Sequence, residues 1–271
     1  MVRSYDLSHE QRDTASELAR LRAQFDLSWA QEAQLLGWLG LRDGLHVVEL
    51  GCGPGDVTEA LSALLPHSAI TAVDHDETML ALMHERVNAD GVSRATAMHA
   101  SIEALPVPED SFDFAIARYV FQHVPDPAQA AREALRVLRP GGKLAVIDVD
   151  AMLWGIAQPM MPGFGEVFTK AGAAQRDHGG DRLVGRKLWR LMHDAGFVNV
   201  QLHAFVYHSD ALGVEPFMRQ LDTGRLTRAL AGGYIGLNDF ARAQQLYRQF
   251  MASADAYVLM AGLLACGEKA N

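Results

Sequence analysis

The sequence predicts an α/β protein with a doubly wound, mostly parallel sheet. The first observation is a short apolar run, Val47 to Leu50, which breaks into a glycine turn and then opens a helix over 57–65. Strands buried on both faces are apolar throughout, and glycines let the backbone turn sharply beside a ligand. The second observation is that strand-like runs alternate with helical patterns over 69–149. This alternation is typical of βαβ units.

Length, composition and charge limit the class of protein. With 271 residues, 49% of them hydrophobic, the chain can form one α/β domain with a cap, or two small domains. Its formal net charge of −9 argues against a nucleic-acid partner, because phosphate binding needs clustered Lys and Arg. We therefore expect a small-molecule substrate and no nucleic acid.

The sequence also indicates where the protein acts. No apolar run is long enough to span a membrane, and residues 1–11 are polar, so we expect a soluble, cytoplasmic protein without membrane contact. A homodimer is compatible with these features. The two cysteines, Cys52 and Cys266, are too few for a metal site, and we expect both to be reduced and no metal to bind.

Three classes of ligand use a strand, glycine turn and helix of this kind. A phosphate loop is excluded, because no Gly-Lys pair is followed by Ser or Thr. A dinucleotide site needs a small residue where this chain has Asp56, which we expect to cap the helix instead. Negative charge at Asp56 and Glu49 is unfavourable beside a pyrophosphate but tolerable beside the sulfonium and ammonium groups of S-adenosylmethionine.

Three segments, in order, resemble motifs of the class I S-adenosylmethionine-dependent methyltransferases. They are the glycine turn at 49–55, the segment 100–113 with its Leu-Pro and Ser-Phe-Asp, and the Leu-Arg-Pro-Gly-Gly turn at 138–142. The resemblance implies a Rossmann-like, seven-stranded sheet whose last strand is antiparallel. It also implies an enzyme of the small-molecule, secondary-metabolite or quinone type, with S-adenosyl-L-methionine as cofactor and S-adenosyl-L-homocysteine as product.

The expected domain organisation places helical covers around this core. We expect an N-terminal helical cover over 1–40, the cofactor-binding core over 41–150, a cap segment over 151–184, a core helix and strand over 185–208, a helical cap insertion over 209–253, and the final core strand over 254–271.

The resemblance also implies which residues contact the cofactor. Asp74 ends the second strand, where a carboxylate can accept both ribose hydroxyls. An N-terminal Glu-x-x-Arg-Leu-x-x-Gln segment covers the cofactor in related enzymes, and it ends here at Gln24. Ser101 occupies the position of the acid that usually binds the adenine amine. The expected set is Gln24, Glu49, Gly51, Gly53, Gly55, Asp74, His75, Ser101, Ile102 and Arg118.

The fourth strand ends near the expected reacting centre. His123 follows it and is the leading candidate for a general base, because imidazole titrates near neutral pH. A structural histidine is the alternative, and Asp148, Asp150 and His178 are further candidate bases. The expected substrate-binding residues are Tyr119, Asp150, Trp154 and His178.

The cap segments are rich in methionine and aromatic residues. Such side chains are typical of a pocket for a lipophilic small molecule. We therefore expect a largely apolar substrate. The residues concerned are Met152, Trp154, Met160, Met161, Phe164, Phe168, Phe217, Met218, Tyr234 and Phe240.

The leading hypothesis is a small-molecule methyltransferase, with oxygen, nitrogen or carbon as the acceptor. One alternative is a related cyclase or isomerase that uses the cofactor as a scaffold. Another is a non-catalytic protein that binds an adenosine ligand. The first two retain the same motifs, and formation of S-adenosylhomocysteine during turnover distinguishes them. The third predicts no occluded substrate cavity under the caps at 151–180 and 209–253.

Overall fold

The computed structural model describes residues 14–88, 95–153 and 156–271, with a mixed sheet at its centre. The strands are β1 (His46–Leu50), β2 (Ala69–Asp74), β3 (Ala95–His99), β4 (Phe112–Arg118), β5 (Leu138–Asp148), β6 (Ile156–Gln158), β7 (Val198–His208) and β8 (Tyr257–Glu268). Their order is β3-β2-β1-β4-β5-β8-β6, and β7 also pairs with β8. The chain order reverses between β1 and β4, and ligands bind at such a reversal in open α/β sheets.

Helices cover both faces of the sheet. They are α1 (Thr14–Trp38), α2 (Asp56–Leu64), α3 (Glu77–Asn88), α4 (Pro127–Val137), α5 (Phe164–Asp177), α6 (Leu188–Ala195), α7 (Ser209–Leu212), α8 (Glu215–Leu221), α9 (Thr227–Ala231) and α10 (Leu237–Met251). In the described ranges, none of these helices combines the length and apolarity needed to cross a bilayer.

The strand directions confirm the predicted fold class, with one difference in strand number. Strands β1 to β5 are parallel to one another, and β8 runs antiparallel to β5, β6 and β7. The sheet has eight strands instead of seven, because β8 extends beyond β5 and pairs there with β6. A three-residue strand is too short to show alternation in a sequence.

Alternating side chains of β1 pack into two separate cores. Val47 lies in the cluster that contains Leu36 of α1 and Leu61 of α2. Val48 points to the opposite face and packs in the cluster that contains Ala131 of α4. Because adjacent strand residues face opposite sides, burial on both sides explains why the run is apolar throughout.

The cap helices are continuous with the first of these cores. Phe164 of α5, Phe217 of α8 and Phe250 of α10 are buried in it. Helix α1 is joined to α8 by two hydrogen bonds, from Arg20 Nη1 to Gln220 Oε1 (3.1 Å) and from Gln220 Nε2 to the Arg20 carbonyl (2.9 Å). Gln220 is fully buried, so this polar contact fixes α1 against the cap.

Candidate active site

The three glycines of the turn have different structural roles. Their φ angles are +77° at Gly51, +52° at Gly53 and +87° at Gly55, in the region that favours glycine. A Cβ at Gly51 would lie 2.5 Å from Val120 Cγ2, and one at Gly55 would lie 2.6 Å from Met83 Cγ. A Cβ at Gly53 would meet nothing within 4 Å. Gly51 and Gly55 are therefore required by packing, whereas Gly53 borders open space.

That space is a cavity of about 400 Å³ at the C-terminal ends of β1, β2 and β4. This volume is suitable for a small ligand, since ligand pockets measure about 300–1,000 Å³. Predicted site residues that line the cavity are Gln24, Glu49, Gly51, Gly53, Asp74, His75, Arg118, Tyr119 and His123. The structure thus brings together residues from α1, β1, β2 and β4 that lie far apart in the sequence.

Asp74 is held in place by backbone donors at the end of β2. Its Oδ2 accepts a hydrogen bond from the Gly53 amide (2.8 Å), and its Oδ1 accepts one from the Asp76 amide (3.0 Å). A carboxylate has about four acceptor positions, so these bonds leave capacity for ligand hydroxyls. His75 lies beside it, with Nδ1 3.4 Å from Asp74 Oδ1. The arrangement fits the ribose of an adenosine ligand.

Glu49 contributes a buried carboxyl group at the end of β1. Thr58 Oγ1 donates a hydrogen bond to its Oε2 (2.6 Å). Burial raises the pKa of Glu49 to about 8, so the group is largely protonated at neutral pH. A cation placed against Glu49 would favour the ionised form.

Asp56 does not cap helix α2 as the sequence predicts. The N-cap is Gly55, and Asp56 is the first residue of the helix. Its carboxylate instead forms ion pairs with Arg22 (3.2 Å) and Arg86 (3.0 Å). These arginines offset the charge at Asp56, so the electrostatic argument against a pyrophosphate is weaker than the sequence indicates.

Arg118 joins the sheet to helix α1. Its Nη2 donates to the Gln24 carbonyl (3.1 Å), to Ser28 Oγ (3.2 Å) and to Glu32 Oε1 (3.2 Å). The guanidinium also lies over the ring of Tyr119, 4.6 Å from its centroid. Tyr119 has a φ of +57°, an unfavourable conformation for a non-glycine residue that is concentrated at functional sites. Arg118 therefore holds α1 over the cavity.

His123 lines the cavity in an environment that makes it a weak base. Burial, together with the positive charges of Arg182, Arg20 and Arg225, lowers the pKa of His123 to about 3. Gln175 Nε2 lies 3.2 Å from His123 Nδ1 and donates to the Gln122 carbonyl at 2.9 Å. An amide donor at Nδ1 favours the tautomer with its proton on Nε2. The imidazole is then neutral at pH 7 and presents a donor.

Several predicted site residues lie elsewhere among the described residues. Gly55 packs on Met83, and Ile102 is buried in the core. Ser101 Oγ donates to Glu103 (3.2 Å) and does not line the cavity. Asp150 is paired with Arg186, whose Nη2 donates to its Oδ1 (2.8 Å). A local pattern does not reveal these partners.

Two further candidate bases, Asp148 and His178, lie outside the lining of the large cavity. Asp148 accepts hydrogen bonds from the Gln122 (3.0 Å) and Val149 (2.8 Å) amides outside the cavity lining, and burial raises its pKa to about 7. His178 borders an adjacent cavity of about 120 Å³. Trp154 lies outside the described residues.

The apolar cap residues do not surround the large cavity as the sequence predicts, while the largely apolar substrate stays a prediction. In the described part of the chain, none of the methionine and aromatic residues singled out in the caps lines the large cavity. Met152 and Met160 are exposed, whereas Phe164, Phe217 and Met218 are buried in the core. Phe164, Phe217 and Met218 thus serve folding, and Phe168 borders the smaller cavity.

Sequence reasoning missed the polar residues that the caps supply. Arg182, Arg225, Arg228 and Gln175 line the large cavity, and all four also line the smaller one beside it. The two cap segments contain seven arginines, so the sequence indicated basic caps but not which arginines reach the cavity. Their convergence depends on the packing of α5 and α9, which sequence spacing does not reveal.

Comparisons with known proteins agree with this geometry. Residues 48–146 match a family model described as a methyltransferase domain. The demethylmenaquinone methyltransferase of Bacillus cytotoxicus is 29% identical over 203 residues, covering 70% of this chain and 85% of that protein. The Listeria welshimeri protein of the same name is 32% identical over 144 residues, covering 53% of this chain but only 57% of that protein.

A solved structure extends the likeness of fold to the whole chain. It is phosphoethanolamine N-methyltransferase 2 of Haemonchus contortus in complex with phosphomonomethylethanolamine and S-adenosylhomocysteine. The TM-score is 0.62 at 18% identity, covering 100% of this chain and 61% of that one. Together, the motifs and the family match identify residues 48–146 as a class I S-adenosylmethionine-dependent methyltransferase domain, and the sheet order is that of a Rossmann-like fold.

Proposed function

We propose that this protein binds S-adenosylmethionine and transfers its methyl group to a small molecule. One observation carries the proposal: open space at Gly53 lies beside the Asp74 carboxylate, which the Gly53 and Asp76 amides hold in place. The names of the demethylmenaquinone methyltransferase relatives support the same chemistry. A quinone-type ring is one candidate acceptor. The absence of a nucleic-acid partner and the homodimer stay predictions.

Each part of the cofactor has residues suited to it. Asp74 would accept the ribose hydroxyls, and His75 and Met79, which also line the cavity, would contact the adenine. Glu49 and Gln24 would face the methionine end, with Glu49 ionised beside the ammonium group. Ser101 and Ile102 lie outside the cavity lining, so His75 and Met79 replace them as the adenine contacts in this proposal.

The chain's own residues have two tasks in this reaction. When bound, S-adenosylmethionine supplies a methyl group activated by a sulfonium. Orientation in a dry site can lower the barrier by about 7–11 kcal/mol. Helix α1 would exclude water, because Arg20 fixes it to Gln220 of the cap and Arg118 fixes it to the sheet. The general-base role of His123 stays a prediction, and its low pKa argues for hydrogen-bond donation instead.

Calorimetry with S-adenosylhomocysteine tests cofactor binding. We expect Asp74→Ala to weaken binding by one or two orders of magnitude, because hydrogen bonds to charged groups contribute about 1.5–3 kcal/mol each. Asp210→Asn, an exposed carboxylate on α7, is the matched control and should bind like the wild type. Equal affinities in Asp74→Ala and the wild type would refute the assignment of Asp74.

Turnover separates the proposal from a cyclase, an isomerase or a non-catalytic binding protein. A methyltransferase forms one S-adenosylhomocysteine for each product molecule. Conversion of an acceptor without formation of S-adenosylhomocysteine would establish the scaffold alternative.

A further inference from the structure

The smaller cavity lies beside the large one, between the two cap segments. Its volume is about 120 Å³, and it is bordered by residues of α5, by residues 225–229 of the second cap segment, and by two residues that follow α5. Four residues line both cavities and therefore mark the boundary between them. These boundary residues are Gln175, Arg182, Arg225 and Arg228.

The part of the smaller cavity that lies away from this boundary has mostly apolar walls. Seven of its described lining residues do not line the large cavity, and His178 is the one polar residue among those seven. His178 Nδ1 is hydrogen-bonded to the Ala174 carbonyl (2.7 Å). A space with few polar partners for water favours apolar atoms. The other six residues are Phe168, Ala171, Gly172, Ala174, Leu226 and Ala229.

The proposed reaction needs room for two molecules at once. Pockets for one small ligand measure about 300–1,000 Å³, and the large cavity of about 400 Å³ has to take both S-adenosylmethionine and the acceptor. The cofactor is placed at Asp74, so the acceptor is left with the side that the caps border. An acceptor with more than a small reacting group would extend beyond the large cavity, and the smaller cavity adjoins it on that side.

We propose that the acceptor carries an apolar substituent of about five carbon atoms, which passes the boundary residues and fills the smaller cavity. The inference rests on the proposed function, because it places the cofactor at Asp74. The size follows from the volume, since an apolar cavity of about 150 Å³ binds benzene. Arg228 is half-buried, and its long side chain can make way by a change of rotamer. The reacting end of the acceptor would remain in the large cavity.

Calorimetry with alkylphenols and the S-adenosylhomocysteine complex tests this inference. The probes are phenol and 4-pentylphenol, which differ only in the five-carbon chain. Each buried carbon increases affinity up to about fourfold, and ordering of the chain removes part of that gain. We expect the wild type to bind 4-pentylphenol about 10²-fold more tightly than phenol. Equal affinity for the two probes, or no binding of either, would refute the inference.

A substitution that fills the smaller cavity then locates the chain. Ala171→Leu adds three carbon atoms at its wall and should reduce the preference for 4-pentylphenol to less than about tenfold, with phenol affinity unchanged. Ala173→Leu makes the same change on the same helix, at a half-buried position that lines neither cavity. It should retain the wild-type preference. Equal preferences in the two variants would place the chain outside the smaller cavity and refute the site.

Gly172→Ala gives a second test that does not require Ala171→Leu to fold. A Cβ at Gly172 would lie 3.4 Å from Arg182 Cδ, which is an ordinary contact, and alanine is a better helix former than glycine. The variant should therefore fold, and its added methyl group should reduce the preference for 4-pentylphenol about two- to fourfold. Should Ala171→Leu not fold, an unchanged preference in Gly172→Ala would refute the site.

The order of the titrations separates this inference from the proposed function. The wild type and every variant are first titrated with S-adenosylhomocysteine alone. Failure of the wild type to bind S-adenosylhomocysteine would refute the proposed function. Normal S-adenosylhomocysteine binding without a preference for 4-pentylphenol, or with a preference that Ala171→Leu and Ala173→Leu share, would refute the apolar extension alone.

Discussion

The two ends of the cavity hold their polar groups by different means. At the strand end, backbone amides fix the Asp74 carboxylate, and Thr58 fixes Glu49. At the cap end, long arginine side chains arrive from α1, from the segment after α5 and from the region around α9. The polar groups of the strand end are thus fixed by short local contacts, whereas those of the cap end depend on how separate segments pack together. Substitutions at each end should therefore have different consequences.

The largest expected effect concerns the ion pair that holds α1 over both ends. Glu32 is fully buried and pairs with Arg118, whose side chain is 9% exposed. Glu32→Gln would leave Arg118 buried without its charge partner, which should lower the free energy of unfolding by about 3–5 kcal/mol. Urea unfolding measures this loss. Lys170→Gln breaks an exposed pair with Asp239 and should cost no more than about 1 kcal/mol. Similar losses of unfolding free energy in the two variants would contradict the role of the Glu32–Arg118 pair in holding α1.

The next effect distinguishes two neighbouring glycines. Gly51→Ala adds a Cβ 2.5 Å from Val120 at a positive φ, and it should lower the free energy of unfolding by about 2–4 kcal/mol. Gly53→Ala meets open space, so only the backbone cost of about 1 kcal/mol should remain. S-adenosylhomocysteine affinity should fall in Gly53→Ala, because the added methyl group enters the cavity. Unchanged affinity in Gly53→Ala would place the ligand elsewhere.

The glycine turn is a part of the site that could be predicted from the sequence. The turn and Asp74 were predictable because a strand end, a glycine pattern and a following carboxylate are local features, and parallel pairing of β1 with β2 brings them together. Arg118 was predicted at the right place, but its partner Glu32 is 86 residues away. No local pattern encodes that contact. Asp150 was predicted to bind substrate, but Arg186 occupies its carboxylate.

The cap end was less predictable for a physical reason. Methionine and aromatic residues pack equally well in a core and around a ligand, so their presence does not distinguish the two roles. Phe217 and Met218 belong to the core, and the arginines that line the cavity come from other turns of the cap. Long side chains reach a site from positions that spacing does not identify.

Substitution of His123, which lines the cavity, tests whether this residue acts as a general base. A general base contributes typically about 10²–10⁴-fold, whereas a group whose pKa is about 3 holds an abstracted proton weakly. We expect His123→Ala to lower the single-turnover rate less than about 10²-fold, with His123→Gln closer to the wild type. A loss of 10²–10⁴-fold in both variants, with normal cofactor affinity, would support the base role.

The smallest expected effect is a pH dependence of cofactor binding. Glu49, with a pKa of about 8, must lose its proton to pair with a cation. Affinity for S-adenosylmethionine should therefore rise as pH increases toward 8, by up to about tenfold per pH unit, and level off above it. Calorimetry from pH 6 to 9 measures this change. Glu49→Gln should remove the dependence, and a pH profile unchanged in that variant would assign it to another group.

The most direct test of the central claim is a crystal structure of the protein with S-adenosylhomocysteine. We expect its ribose hydroxyls within hydrogen-bond distance of the Asp74 carboxylate and its amino acid end beside Glu49. Space bordered by Arg182, Arg225 and Arg228 should remain for the acceptor. An adenosine group bound away from Asp74, or one that occupies the arginine end of the cavity, would contradict the account.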